Sequence, residues 1–183
     1  MKLRILFFLL INCVVSIAAD SKIPFELREG DRVVFLGDTL MEREQYHGYI
    51  ELALATHFPE SRVTFRNLGW SGDTPEGITR TGLSLLQAGH EPPDEGWKQL
   101  QAQIALTKPT VVFLGYGMAS SFDGEKGLPK FVGDMNRLID AIQQQAGKEK
   151  VRFVLLSPIR HENLGAPLPN PAKHNDQLAL YTT

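Results

Sequence analysis

The run Val33-Val34-Phe35-Leu36, stopped by Gly37-Asp38-Thr39, constrains this chain more than any other segment. Consecutive β-branched and bulky apolar residues without polar alternation describe a strand buried on both faces, the pattern of a parallel sheet covered by helices. Gly37 allows a sharp turn after the strand. A hydroxyl residue just past it, Thr39, then stands where open α/β sheets bind ligands, outside the carboxyl ends of their strands.

Further strands follow the same plan. Arg62–Asn67 alternates polar and apolar residues and is expected nearer a sheet edge; Thr110–Leu114 is fully apolar; Val151–Leu156 ends at Ser157-Pro158. Between them lie helical patterns. Met41–His57 places Tyr46, Ile50, Ala53 and Leu54 on one face, and Trp97, Leu100 and Ile104 mark a helix stopped before Pro109. Leu128, Phe131, Val132, Met135, Leu138, Ile139 and Ile142 hold helical spacing for four turns before Gly147. Alternating strands and helices predict a parallel, doubly wound α/β sheet. Ala172–Tyr181 reads as a further helix, with no strand after it, so the domain over residues 20–183 is expected to be incomplete at its C-terminus.

The first residues differ in kind. Lys2 and Arg4 precede the apolar run Ile5–Ile17, and small residues lead to Asp20, the layout of a secretory signal peptide over residues 1–19. The run is short for a membrane span, so an uncleaved anchor is the lesser alternative and the only membrane contact expected. Cys13 is the sole cysteine, and Asn12 before it argues against lipidation; the exported chain would carry no disulfide. A net charge of -2 gives no electrostatic case for nucleic acid. No metal-ligand spacing and no nucleotide-phosphate loop is present, so no cofactor is expected.

The loops after the strands would meet at one end of the sheet. They supply Asp38 and Thr39; then Asn67-Leu68-Gly69-Trp70; then Gly115-Tyr116-Gly117-Met118-Ala119-Ser120-Ser121; then Ser157-Pro158-Ile159-Arg160-His161-Glu162. Glycines there let backbone N–H groups approach a ligand and stabilise an oxyanion. Other roles are open to the same residues. Thr39 is also a good helix N-cap, with Glu42 three residues on in a capping-box pattern. Asp38 is expected as a structural hydrogen-bond acceptor, Trp70 as a pocket wall or a lid, and Ser120 and Ser121 as helix-starting residues. His161 beside Glu162 reads as a base with its orienter or as a solvated loop residue. His47, His57, His90 and His174 show no partner pattern.

In order and spacing, Gly37-Asp38-Thr39-Leu40, Asn67-Leu68-Gly69 and Gly115-Tyr116-Gly117-Met118 resemble blocks of the GDSL, or SGNH, esterase and lipase family. The longer stretches, including Leu156-Ser157-Pro158-Ile159-Arg160-His161-Glu162, look like a planctomycete-type subgroup of such domains. The resemblance implies a three-layer αβα sandwich with a flavodoxin-like sheet and hydrolysis of carbohydrate or lipid acyl esters. It implies Thr39 as nucleophile, Gly69 as an oxyanion N–H donor and Ser120 as a further donor; from their place in the strand-end loops, Asp38, Trp70 and His161 are expected to contact substrate. Three departures stand against the family pattern: Thr39 replaces Ser, no Asn follows Gly117 until Asn136, and the terminal Asp-x-x-His is absent. A missing general base costs on the order of 10²–10⁴-fold. The alternative is a catalytically degenerate module that binds a ligand or serves as a scaffold.

Overall fold

The computed structural model describes residues 25–80 and 94–182. The segment expected to be a signal peptide, with Cys13, and His90 lie outside the described residues. Strand β1 (Arg32–Gly37) is followed by α1 (Thr39–His47), α2 (Tyr49–His57) and β2 (Thr64–Asn67). Then come α3 (Glu95–Thr107), β3 (Val111–Gly115), a 3₁₀ turn at Ser120–Asp123, α4 (Gly124–Ala146), β4 (Arg152–Leu155) and α5 (Ala172–Leu180). The four strands form one parallel sheet in the order β2-β1-β3-β4, which is the flavodoxin-like, doubly wound arrangement.

The two central strands explain the layers. Val33 and Phe35 of β1, with Val111 and Phe113 of β3, enter a core with Leu27 and Met41, against which Ile50, Leu54 and Phe58 pack. The alternate residues Val34, Leu36, Val112 and Leu114 enter the opposite core with Leu100 and Ile104 of α3 and Leu138 and Ile142 of α4. Every residue of β3 is buried, so the unbroken apolar run has a direct cause: both faces of the strand are covered.

One helix expected over Met41–His57 is two. Gly48 adopts a left-handed conformation (φ 65°), ends α1 with its N–H on the Glu44 carbonyl, and starts α2. The carboxylate of Glu44 caps the new helix by accepting from the Ile50 N–H at 3.0 Å. The break separates the supposed common face: Ile50 and Leu54 pack on the core, while Tyr46 and Ala53 are exposed.

At the amino ends of the strands, Asp31 ties three segments together. It accepts from the Arg28 N–H, the Thr110 hydroxyl and the Arg152 guanidinium. Burial pushes its carboxyl pKa up, but these donors prevail and hold it below the ordinary value. The carboxyl ends are left free to build a pocket.

Candidate active site

Strands β1 and β3 end level with each other, Gly37 opposite Gly115, and the Met41 side chain lies across both glycines. From this shared edge the chain turns at Asp38. The Asp38 N–H donates to the Gly115 carbonyl at 3.0 Å, and its carboxylate accepts from Met118 N–H at 3.0 Å and Leu40 N–H at 3.4 Å. Asp38 is therefore the N-cap of α1, and Thr39 is the first helical residue. The expected Thr39 capping box is corrected on this point. Asp38 has the extended backbone an N-cap requires and its carboxylate accepts the Leu40 N–H, while the Thr39 hydroxyl accepts from Gly72 N–H instead.

Asp38 is buried, and burial raises its pKa to about 6 against the backbone donors that favour the carboxylate; Asp73 adds to the rise. A carboxyl whose folded pKa lies above its unfolded value contributes stability below about pH 4 and loses it as pH rises through about 6. The stability of wild type relative to Asp38→Asn is thus expected to fall between pH 4 and 6, by up to about 3 kcal/mol. Urea unfolding of both proteins across that range checks this; a flat difference would overturn it.

Thr39 is half-buried, and its Oγ1 accepts the Gly72 N–H at 3.0 Å. Gly69 is buried against α1: a Cβ there would sit 2.3 Å from Glu42 N and 2.4 Å from the Met41 carbonyl carbon. Its N–H donates to Asn67 Oδ1 at 2.7 Å, while Asn67 Nδ2 donates to the Met41 carbonyl at 2.7 Å. The Asn-Leu-Gly segment thereby locks the β2 loop to the first turns of α1.

Between these loops opens a pocket of about 400 Å³ lined by Asp38, Thr39, Arg43, Met118, Ile159 and His161, with Leu40, Gly115, Ser157 and Pro158 completing it. Of the sequence-derived candidates, the structure brings Asp38, Thr39 and His161 together on this one pocket. Gly69, Trp70 and Ser120 are not part of its lining. Trp70 donates its N–H to the Gly37 carbonyl, and its partly exposed ring lies beneath the Arg80 guanidinium at 5.6 Å. Ser120 begins the 3₁₀ turn after β3.

Sequence reading missed His174, Ser121 and Asn175. His161 Nε2 lies 2.8 Å from His174 Nδ1, and His174 Nε2 lies 2.8 Å from Ser121 Oγ, which also sits 2.8 Å from the Met118 carbonyl. Phe122 stacks on the His174 ring with centroids 3.9 Å apart. Asn175 clamps His161 by its backbone, accepting from its N–H at 2.8 Å and donating to its carbonyl at 2.9 Å. His174 was expected to have no partner; folding supplies two, separated from it by 13 and 53 residues, so no local spacing could reveal them. Burial and the neighbouring His161 both lower the His174 pKa. Ser121 is fully buried, which removes it as a nucleophile open to substrate.

The fold and the strand-end pocket place this chain among α/β proteins with a parallel, doubly wound sheet. No protein-family model and no curated protein matches the chain. Among solved structures it is similar to a gut microbial diltiazem-metabolizing enzyme, with TM-score 0.55 and 20% identity. That match covers 84% of this chain and 33% of the other, so the chain spans about a third of that protein's length. The psychrotrophic esterase EstA from Pseudoalteromonas sp., in a structure inhibited by monoethylphosphonate, matches with TM-score 0.50 and 18% identity over 83% of this chain and 70% of its own. Axe2, an acetylxylan esterase from Geobacillus stearothermophilus, matches with TM-score 0.45 and 16% identity over 86% and 72%. The first two likenesses establish the shared fold.

Proposed function

We propose that the chain is an SGNH-type hydrolase of small acyl esters, of carbohydrate or lipid, with Thr39 as nucleophile. The observation that carries this reading is the position of Thr39. It follows a buried central strand, is the first residue of α1, and opens on a pocket with apolar walls from Leu40, Met118, Pro158 and Ile159. That is where the fold gathers strand-end loops for binding. The likeness in fold to an esterase supports the reaction class. With residues 1–19 acting as a signal segment, the reaction takes place outside the cytoplasm.

In the reaction Thr39 Oγ1 bonds to the ester carbonyl carbon, the carbonyl oxygen takes the electron pair, and the alcohol leaves with a proton; water then releases the acid. Backbone N–H groups near the glycine-rich loops hold the oxyanion. Thr39 must first exchange its Gly72 partner, and Gly69 its Asn67 partner. The β-methyl of Thr39 restricts that movement.

Those occupied groups favour a second reading: a binding module that holds an ester or other polar ligand without cleaving it. Hydrolysis of a short-chain nitrophenyl ester by the full-length protein separates the two. The hydrolase reading expects turnover that falls at least about 100-fold in Thr39→Ala. Equal rates for the two proteins remove Thr39 as nucleophile, and ligand binding without turnover establishes the second reading.

A further inference from the structure

The contacts around His174 fix the protonation of both rings. The Met118 carbonyl only accepts, so the single hydroxyl proton of Ser121 is committed to it at 2.8 Å. Ser121 Oγ must then accept from His174, which assigns the proton of that ring to Nε2. His174 Nδ1 is left as an acceptor for His161 Nε2–H. The tautomers follow from satisfying every contact in turn. At the end of the chain, His161 Nδ1 carries an unshared pair, on a side chain that lines the same pocket as Thr39.

The support behind this ring is rigid. His174 sits on α5, which Leu178 anchors in the interior and Tyr181 pins through its hydroxyl to the Gly124 carbonyl at 2.8 Å. Phe122 holds the plane of the His174 ring, and the buried Asn175 holds the His161 backbone on both sides. The titratable and charged groups around His161 are His174 behind it, Asp38 and Arg43 in the pocket lining, and Arg160 and Glu162 on either side of it in the chain.

We propose that His161 is the general base of this pocket and that His174 is its positioning residue, an inference that rests on the ester-hydrolase reading. As Thr39 Oγ1 bonds to the acyl carbon, its proton passes to His161 Nδ1 and the carbonyl π pair moves to oxygen. The ring becomes an imidazolium while its Nε2–H remains on His174 Nδ1, now in a charge-assisted hydrogen bond. Collapse of the oxyanion breaks the bond to the alkoxide, which takes the proton from His161. Water repeats the cycle on the acyl-enzyme. The β4 loop thus supplies the base of this pocket.

The test uses the full-length protein and a short-chain nitrophenyl ester. His161→Ala is expected to lose 10²–10⁴-fold in kcat, with KM within about threefold and part of the rate restored by added imidazole. His174→Ala is expected to lose kcat as well, and His174→Gln, whose amide can both accept and donate in the same places, to recover most of it. Independently, ¹⁵N chemical shifts of the rings at neutral pH are expected to show both histidines protonated on Nε2. Thr39-dependent turnover that survives His161→Ala would overturn the base and leave the hydrolase reading standing. A His161 ring protonated on Nδ1 would overturn the base whatever the activity, and no turnover by wild type would end both.

Discussion

Arg80→Met is expected to destabilise the protein by about 3–5 kcal/mol, because it leaves Asp73 charged and unpaired in the interior. The two side chains are 1% and 0% exposed, with Arg80 Nε 2.7 Å from Asp73 Oδ2. The same guanidinium donates to the Leu68 carbonyl at 2.7 Å and to Gln103 of α3. Asp73 in turn accepts from the N–H and hydroxyl of Thr79. The pair therefore fastens the loop after β2, which carries Gly69 and Trp70, to the helical layer beneath it. Removing both charges together, as Asp73→Leu with Arg80→Met, is expected to cost much less, since no orphaned charge remains. Urea midpoints of the two variants decide it. A single variant within about 1 kcal/mol of wild type would show that water reaches Asp73 and the burial argument fails.

Gly37→Ala is the second large effect, at about 3 kcal/mol. A Cβ on Gly37 would lie 2.3 Å from the Gly115 carbonyl oxygen and 2.5 Å from Met41 Cγ. Met41 is fully buried and cannot swing out, and the carbonyl already receives the Asp38 N–H. The strands must part at the point where Asp38 leaves β1, so under the proposed hydrolase reading ester turnover is expected to fall further than stability alone explains. Gly133→Ala is the control. Its Cβ meets nothing within 4 Å in the middle of α4, where alanine favours the helix by roughly 0.5–1 kcal/mol. Thermal unfolding with parallel activity assays reads both variants, and a Gly37→Ala protein as stable and active as wild type would refute the packing argument.

The strands were legible because their pattern follows from burial. The apolar runs at Val33–Leu36 and Val111–Leu114 are what two covered faces demand, and the alternation in β2 matches its place at the sheet edge. The α1–α2 break was written in Gly48, but the apolar spacing of Ile50 and Leu54 reads equally well through a straight helix. Asp38 and Thr39 show how one residue matters: both can cap, and only the extended backbone at Asp38 decides which does. The partners of His174 were beyond reach, since Ser121 and His161 approach it only after α5 has docked against the 3₁₀ turn and α4.

The Asp38 carboxylate and the Met118 N–H that it accepts are 80 residues apart in the chain. Parallel pairing across such a separation closes a long loop before any contact repays it, and such topologies fold slowly. A nascent chain that has emerged only as far as α3 already contains the Gly-Asp-Thr turn, yet has no β3 to seat it. The pocket thus depends on two joins: β3 must pair with β1 to seat the turn, and β4 must pair with β3 to bring in Ser157, Pro158, Ile159 and His161; it is lost whenever the central strands part.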